Sequence, residues 1–245
     1  MSTSGRSPLS LAKQTYAGSL KALGRGLSRT GLAREDAPPV EQRWRHWGHS
    51  LTKVYDSLAM ARLDVPWWTY DAIAEVGVWL ARREHPIRVF EYGSGASTIW
   101  LAKRVDEIHS VEHHPGFGAM MQAELADPER YAHVWLRIVE PVPSDHPVIG
   151  SQKEGHHGLD FEAYVNAIDD VPGDFDLVVV DGRAREACLL KARDRLAPEG
   201  VVVFDNSRRR RYRAAIAASG MRERVLRGLT PTLPYPEQTS VLTKG

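Results

Sequence analysis

The chain has 245 residues, 42% of them hydrophobic and 26% charged, which fits a globular protein and excludes a collagen-like, coiled-coil or wholly disordered chain. Its 32 Lys and Arg against 31 Asp and Glu leave a net charge of +1, so the chain as a whole is no polybasic nucleic-acid binder, and no apolar run reaches the roughly 20 residues a bilayer requires. The single cysteine, Cys188, excludes an internal disulfide framework and a multi-cysteine zinc site; a reducing, cytoplasmic setting is the expectation.

The charge is unevenly distributed. Residues 1–34 hold six basic side chains (Arg6, Lys13, Lys21, Arg25, Arg29, Arg34) and no acidic one. Tyr16, Leu20, Leu23 and Leu27 have helical spacing, so a short basic amphipathic helix is one reading, with weak contact to an anionic membrane surface or an organelle-type leader as its use. Gly18, Gly24 and Gly26 weaken that helix, and a flexible, solvated extension over 1–38, closed by Pro38-Pro39, is the plainer expectation. A helical cap is expected over 39–86. Trp44, Trp47, Leu51, Tyr55, Leu58 and Leu63 predict one helix with an apolar face, its tryptophans mostly packed inside. After Pro66-Trp67-Trp68, Thr69 is placed to cap a second helix through Ala72, Ile73, Val76, Trp79 and Leu80. Trp67 or Trp68, at that helix entrance, is a candidate wall for a ligand pocket.

From residue 87 strands and helices alternate. Strands are predicted at 87–91, 108–112, 134–139, 175–181 and 200–204, and helices at 97–105, 116–126, 161–168 and 186–196. Leu177-Val178-Val179-Val180 is the continuous apolar run of a parallel strand buried on both faces. Runs at 222–229 and 239–243, separated by Pro231, Pro234 and Pro236, predict an antiparallel pair at one sheet edge. The pattern gives an α/β fold over 87–245, a mostly parallel sheet with helices on both faces.

Such sheets bind ligands beyond the carboxyl ends of their strands. The residues there are Glu91, Glu112, Val139-Glu140, Asp181 and Asp205-Asn206. Glu91-Tyr92-Gly93-Ser94-Gly95-Ala96-Ser97-Thr98 joins the first strand to its helix, its glycines allowing a tight turn and close approach of a ligand. Glu112, 21 residues after Glu91, is placed to accept bonds from ribose hydroxyls, so an adenosine-bearing ligand is expected. A dinucleotide would bring its pyrophosphate to the turn, against the like charge of Glu91, and Thr98 stands where close helix packing favours Gly or Ala. Both points favour S-adenosylmethionine over NAD.

These segments resemble the strand-end motifs of class I S-adenosylmethionine-dependent methyltransferases. The resemblance covers about residues 87–245 and implies a Rossmann-like, seven-stranded sheet. By position it gives cofactor contacts to Glu91, Tyr92, Gly93, Ser94, Gly95, Ser97, Thr98, Glu112, His113, Glu140 and Asp181. Asp181 falls where methyl donor and acceptor meet and is the candidate catalytic residue. Asp181, Asp205 and Asn206 further resemble the Mg²⁺ tripod of cation-dependent O-methyltransferases, and hard oxygen donors suit that ion. The departure is Ala184, where that group has a lysine; Arg183 and Arg185 flank it. His113, His114, His156 and His157 are candidate bases, and His156-His157 a metal pair without an evident third ligand. Arg208–Arg211, Tyr212 and Arg213, with Arg183 and Arg185, would make the pocket rim positive, fitting a small anionic acceptor. The expected activity is methyl transfer to a small or polar acceptor, at oxygen first. The rival expectations are a non-catalytic RNA-binding module, which the overall charge does not favour, and an NAD-dependent oxidoreductase.

Overall fold

The computed structural model describes residues 36–53 and 56–245, without the side chains of 52 and 53. The basic helix around Tyr16, Leu20, Leu23 and Leu27 lies outside the described residues, as does Tyr55. Three helices come first: α1 (Arg43–Lys53), α2 (Ser57–Arg62) and α3 (Tyr70–Ala81). Where one helix was expected there are two, because Asp56 accepts the Ala59 N–H and starts α2 afresh. Trp44 also departs from expectation: it is 72% exposed. Thr69 caps α3 through the Ala72 N–H at 3.3 Å, as its place before the apolar run predicts.

The alternation then follows: β1 (Arg88–Tyr92), α4 (Ala96–Ala102), β2 (Glu107–Glu112), α5 (Pro115–Glu124), α6 (Pro128–Tyr131) and β3 (Val134–Ile138). A small hairpin, β4 (Val142–Pro143) with β5 (Leu159–Asp160), interrupts the polar loop. After it come α7 (Glu162–Asn166), β6 (Phe175–Val180), α8 (Arg185–Asp194), β7 (Leu196–Asp205), α9 (Arg210–Ala218), β8 (Arg222–Gly228) and β9 (Glu237–Thr243). The seven long strands pair in the order β3-β2-β1-β6-β7-β9-β8. The first five run parallel, and β9 runs against both neighbours, so the tail forms the expected antiparallel edge pair.

The strand order decides where a ligand can sit. From β1 the chain winds outward to β2 and β3, then returns to lay β6 on the other side of β1. Crossovers on the two sides leave in opposite directions, which opens a crevice at the carboxyl ends of β1 and β6.

Period-two alternation gives the sheet two cores. Val89, Leu177, Val179, Val201 and Val203 face Trp68, Val76, Leu80, Trp100 and Leu101 from the helices on one side. Phe90, Tyr92, Val178, Val180, Val202 and Phe204 face Tyr164, Cys188, Leu189 and Ile216 on the other. The first three helices therefore share a core with the sheet. They are also tied to the connection between β8 and β9: Trp67 Nε1, before α3, donates to Thr232 Oγ1, and Trp47 Nε1, on α1, to the Leu233 carbonyl, both at 2.8 Å. No helix among the described residues is long and apolar enough to cross a membrane.

Trp68 is fully buried, with its ring 5.7 Å from that of Trp100. Trp68→Ala is expected to cost about 3–5 kcal/mol through the cavity it leaves, read as a fall in the urea midpoint. An unchanged midpoint would mean the helices do not bear on the sheet.

Candidate functional site

The turn after β1 and the turn after β6 nearly touch. Gly93 has φ +95°, and a Cβ there would stand 2.8 Å from the Gly182 N and Cα. A Cβ on Gly182 would in turn meet the Tyr164 hydroxyl at 2.0 Å. Only glycine fits at both places. The Gly93 N–H donates to the Val111 carbonyl at 2.8 Å, and the Asp181 N–H to the Tyr92 carbonyl at 3.0 Å, fixing both turns to the sheet.

Glu91 lies behind this turn. It is fully buried and takes hydroxyl bonds from Ser97, Thr98 and Ser110. Thr98 also accepts the Gly95 N–H at 2.9 Å. Burial pushes the Glu91 carboxyl up to about 7, although the three hydroxyls favour its charged form. These facts correct three expected cofactor contacts. Glu91 and Thr98 brace the turn from beneath and do not line the pocket. The Tyr92 ring belongs to the opposite core, where its hydroxyl donates to the Val165 carbonyl at 2.7 Å.

The pocket at the crevice has a volume of about 650 Å³. Gly93, Ser94, Gly95 and Ser97 form its floor; Glu112, His113 and His114 form one side; Asp181, Gly182 and Arg183 form the other. Trp67, Asp56 and Ser57 arrive from the first helices, Phe117 from α5 and His156 from the loop between β4 and β5. Trp67 is thus the tryptophan that walls the pocket, while Trp68 is core. Asp56, Ser57 and Phe117 carry no sequence signal for this role, since tertiary packing alone brings them in. Glu140 does not join: it is exposed on the loop after β3, outside the lining, and no strand-end geometry turns it inward.

Glu112 is 4% exposed and well ordered by the backbone. Its Oε1 accepts the His113 and His114 N–H groups at 2.9 and 2.8 Å, and its Oε2 accepts the Ser94 N–H at 3.2 Å. Burial opposes its charge, but the His113 ring and these backbone donors win, so its pKa is lowered. His113 Nδ1 lies 2.8 Å from Glu112 Oε1. Ser94 Oγ is buried and has no hydrogen-bond partner among the described residues, a donor and acceptor left for a ligand. The pairing of a buried acid on β2 with a glycine floor and an unpartnered hydroxyl fits the ribose and the methionine part of S-adenosylmethionine.

The expected metal donors do not fit a cation. Arg185 is 5% exposed and lies between the two acids. Its Nη2 donates to Asp181 Oδ1 and to the Asp181 carbonyl, both at 2.6 Å; Nε donates to the Gly182 carbonyl at 3.1 Å; Nη1 donates to the Asp205 carbonyl and lies 3.9 Å from Asp205 Oδ2. Thr239 Oγ1 donates to Asp205 Oδ1 at 2.9 Å. A guanidinium already supplies the positive charge that these carboxylates would offer an ion. Burial, with the neighbouring Asp181 charge, pushes Asp205 up to about 7 against the pull of Arg185. Asn206 sits at φ 52° in the turn after β7, outside the pocket lining, so the tripod is not assembled. No group of three metal-capable side chains forms among the described residues, His156-His157 included.

Of the four candidate bases, His114 caps α5 by accepting the Phe117 N–H at 3.1 Å, and His157 is exposed outside the pocket lining. His156 lines the pocket. Its Nε2 receives the Arg183 Nε at 3.4 Å and its Nδ1 lies 3.3 Å from the Glu154 carbonyl. Burial lowers its pKa, which keeps the imidazole neutral.

Residues 90–207, from β1 to the turn after β7, match a family described as a methyltransferase domain. Among curated proteins none matches the chain. Among solved structures the chain is similar to a provisionally assigned O-methyltransferase from Klebsiella pneumoniae, at 16% identity over 94% of this chain and 99% of that one, with a TM-score of 0.53. It is also similar to a methyltransferase-like protein from Silicibacter pomeroyi DSS-3 (23% identity, 70% and 86% covered, TM-score 0.46). A third is a precorrin-6y C5,15-methyltransferase from Geobacter metallireducens GS-15 (16%, 71% and 88%, TM-score 0.47). The Klebsiella likeness shows a common fold.

The buried Glu91 gives a pH signature. Unfolded, it loses its proton near 4.5; folded, near 7. Between those values the folded chain holds the extra proton, so stability falls as pH rises, and it is level outside them. The stability difference between the protein and Glu91→Gln is expected to shift by about 3 kcal/mol across that window, against the wild type. Urea unfolding of both at several pH values checks this; a difference that does not vary with pH refutes it.

Proposed function

The chain belongs to the class I S-adenosylmethionine-dependent methyltransferases, and from that footing we propose that it methylates a hydroxyl oxygen of a small acceptor seated between Asp181 and His156, without a divalent cation. The observation that carries the cation-free part of this reading is Arg185, whose guanidinium takes the place of an ion between the ends of β6 and β7, and the hydroxyl acceptor rests on His156, a neutral base in the pocket lining. A cavity of about 650 Å³ is of the size that encloses small molecules.

S-adenosylmethionine, when bound, supplies an electrophilic methyl on a sulfonium. Glu112 is suited to hold the ribose. Its Oε1 is occupied by two backbone donors, while Oε2 carries a single long bond and can accept from sugar hydroxyls. Ser94 Oγ stands free for the methionine part. Arg185 grips Asp181 by its carbonyl and Oδ1, leaving Oδ2 for the pocket. His156, neutral and lining the same space, can take the hydroxyl proton on Nε2 once the 3.4 Å bond from Arg183 Nε to that nitrogen gives way, with Nδ1–H turned to the Glu154 carbonyl. With Glu112 and Ser94 suited to hold its ribose and methionine parts, the cofactor would supply the methyl that the deprotonated acceptor oxygen takes up, the electron pair of the carbon–sulfur bond being left on sulfur. Much of the rate in such a site comes from holding the oxygen in line.

Calorimetry with S-adenosylhomocysteine is expected to show one site, weakened about tenfold or more in Glu112→Ala, which removes a charged acceptor. Neither Mg²⁺ nor a chelator should shift the melting temperature or that affinity. Incubation with methyl-labelled S-adenosylmethionine and panels of hydroxylated, amine and thiol acceptors should place label on the hydroxylated set. Transfer confined to amines or thiols, or dependent on Mg²⁺, overturns the proposal.

A further inference from the structure

We infer that the pocket mouth contains an oxyanion subsite, formed by Lys153, Arg183, Arg209 and Arg211, that takes a phosphate group of the acceptor. The inference rests on the methyltransferase reading and names the acceptor's chemistry.

Two segments bring these cations together. In the loop between β4 and β5, the His156 N–H donates to the Lys153 carbonyl at 3.1 Å and closes a turn. His156 faces the pocket and meets Arg183 Nε at 3.4 Å, so the turn holds Lys153 beside the rim. On the far side Arg209 and Arg211 begin α9 directly after the end of β7. The closeness of the group has a physical trace. Burial, and then Arg183, Arg209, Arg185 and Arg211 in turn, push the Lys153 amine down to about 8. Arg183 and Arg209, with Arg185, also act on Asp181.

The charge here is not neutralised. Among the described residues Lys153, Arg183, Arg209 and Arg211 form no ion pair. Arg185 makes the only ion pairs to Asp181 and Asp205 among the described residues, and the Asp181 carboxylate also attracts Arg183 and Arg209 at longer range, so these cations share one acid. Glu154, beside Lys153 in the turn, is exposed and makes no ion pair either. Arg183 meets only the Gly182 carbonyl and His156, and Arg211 rests on Tyr212. Several cations elsewhere are paired: Arg88 with Glu107, Lys103 and Arg104 with Asp64, Lys191 with Asp169. Arg213, on the same helix as Arg211, is held by both oxygens of Glu223 at 2.7 Å. Lys153, Arg183 and Arg211 are half-buried and Arg209 is exposed; gathering like charges at such a rim is costly, and a bound anion offsets that cost. Four cations exceed what one carboxylate would balance, and guanidinium forks match phosphate oxygens. Their grouping at a recess, and not along a stripe, favours a small phosphorylated molecule over RNA.

The test uses the full chain saturated with S-adenosylhomocysteine and titrated with inorganic phosphate, against chloride at matched ionic strength. Thermal unfolding should show saturable stabilisation by phosphate alone. In the Lys153→Gln, Arg209→Gln double variant, checked for fold by circular dichroism, phosphate affinity should drop about tenfold or more, since charge-assisted bonds are lost. S-adenosylhomocysteine affinity should stay the same. If S-adenosylhomocysteine binds but phosphate acts no better than chloride, or acts equally on the double variant, the subsite is refuted and the methyltransferase reading stands. If S-adenosylhomocysteine does not bind, that reading itself fails. A single-stranded RNA that displaces phosphate and binds more tightly, with affinity falling steeply with salt, assigns the cations to RNA and overturns the inference.

Discussion

A single buried guanidinium fastens the chemically active end of this protein. Arg185 spends its donors on the Asp181, Gly182 and Asp205 carbonyls and on the Asp181 carboxylate. Parallel strands end in carbonyls that the ladder no longer satisfies, and a buried end must find donors. One side chain here meets that need for two neighbouring strands and balances their acids as well. The arrangement fixes the separation of the β6 and β7 ends, and with it the direction in which Asp181 meets the pocket. A lysine could not do this, lacking the planar fork.

A second buried ionisable group acts in the same spirit one strand over. Glu91 ties α4 to β1 and β2 through three hydroxyls, so the glycine turn above it has a rigid base. The turn can then stay open to a ligand without collapsing, because its shape is set from below. Polar groups in this protein are thus divided between those that brace the site and those that face into it. Glu91, Thr98, Arg185 and Asp205 brace; Ser94, Glu112, Asp181 and His156 face in.

That division was hard to read from sequence, whereas the fold was not. Apolar runs and the alternation of strand and helix located all seven long strands; in the central ones burial on both faces leaves a direct compositional mark. Gly93, Gly95, Glu112 and Asp181 were legible for a similar reason: the topology dictates that strand ends converge. What escaped was side-chain direction. Glu91 looked like a ligand contact and is a brace, since one residue's shift along a strand turns a side chain to the other face. Asp205 and Asn206 looked like ion ligands until Arg185, itself read only as rim charge, proved to lie between the acids. The capping role of Asp56, which splits the first predicted helix, was outweighed in the sequence by the apolar periodicity around it. Lys153 and His156 lie in a loop of low patterning, and only the tertiary turn joins them to the rest.

The helices before the sheet also have a bearing on how this scaffold can be reshaped. Ser57 stands at contact distance from the place a Gly95 side chain would occupy, and Trp67 closes the same flank. One wall of the crevice is therefore borrowed from chain that precedes the strand–helix repeat, while the opposite brim belongs to an insertion between β3 and α7. Changes in either segment can retailor the chamber's opening while the ladder of strands, and the strand-end turns built on it, keep their form.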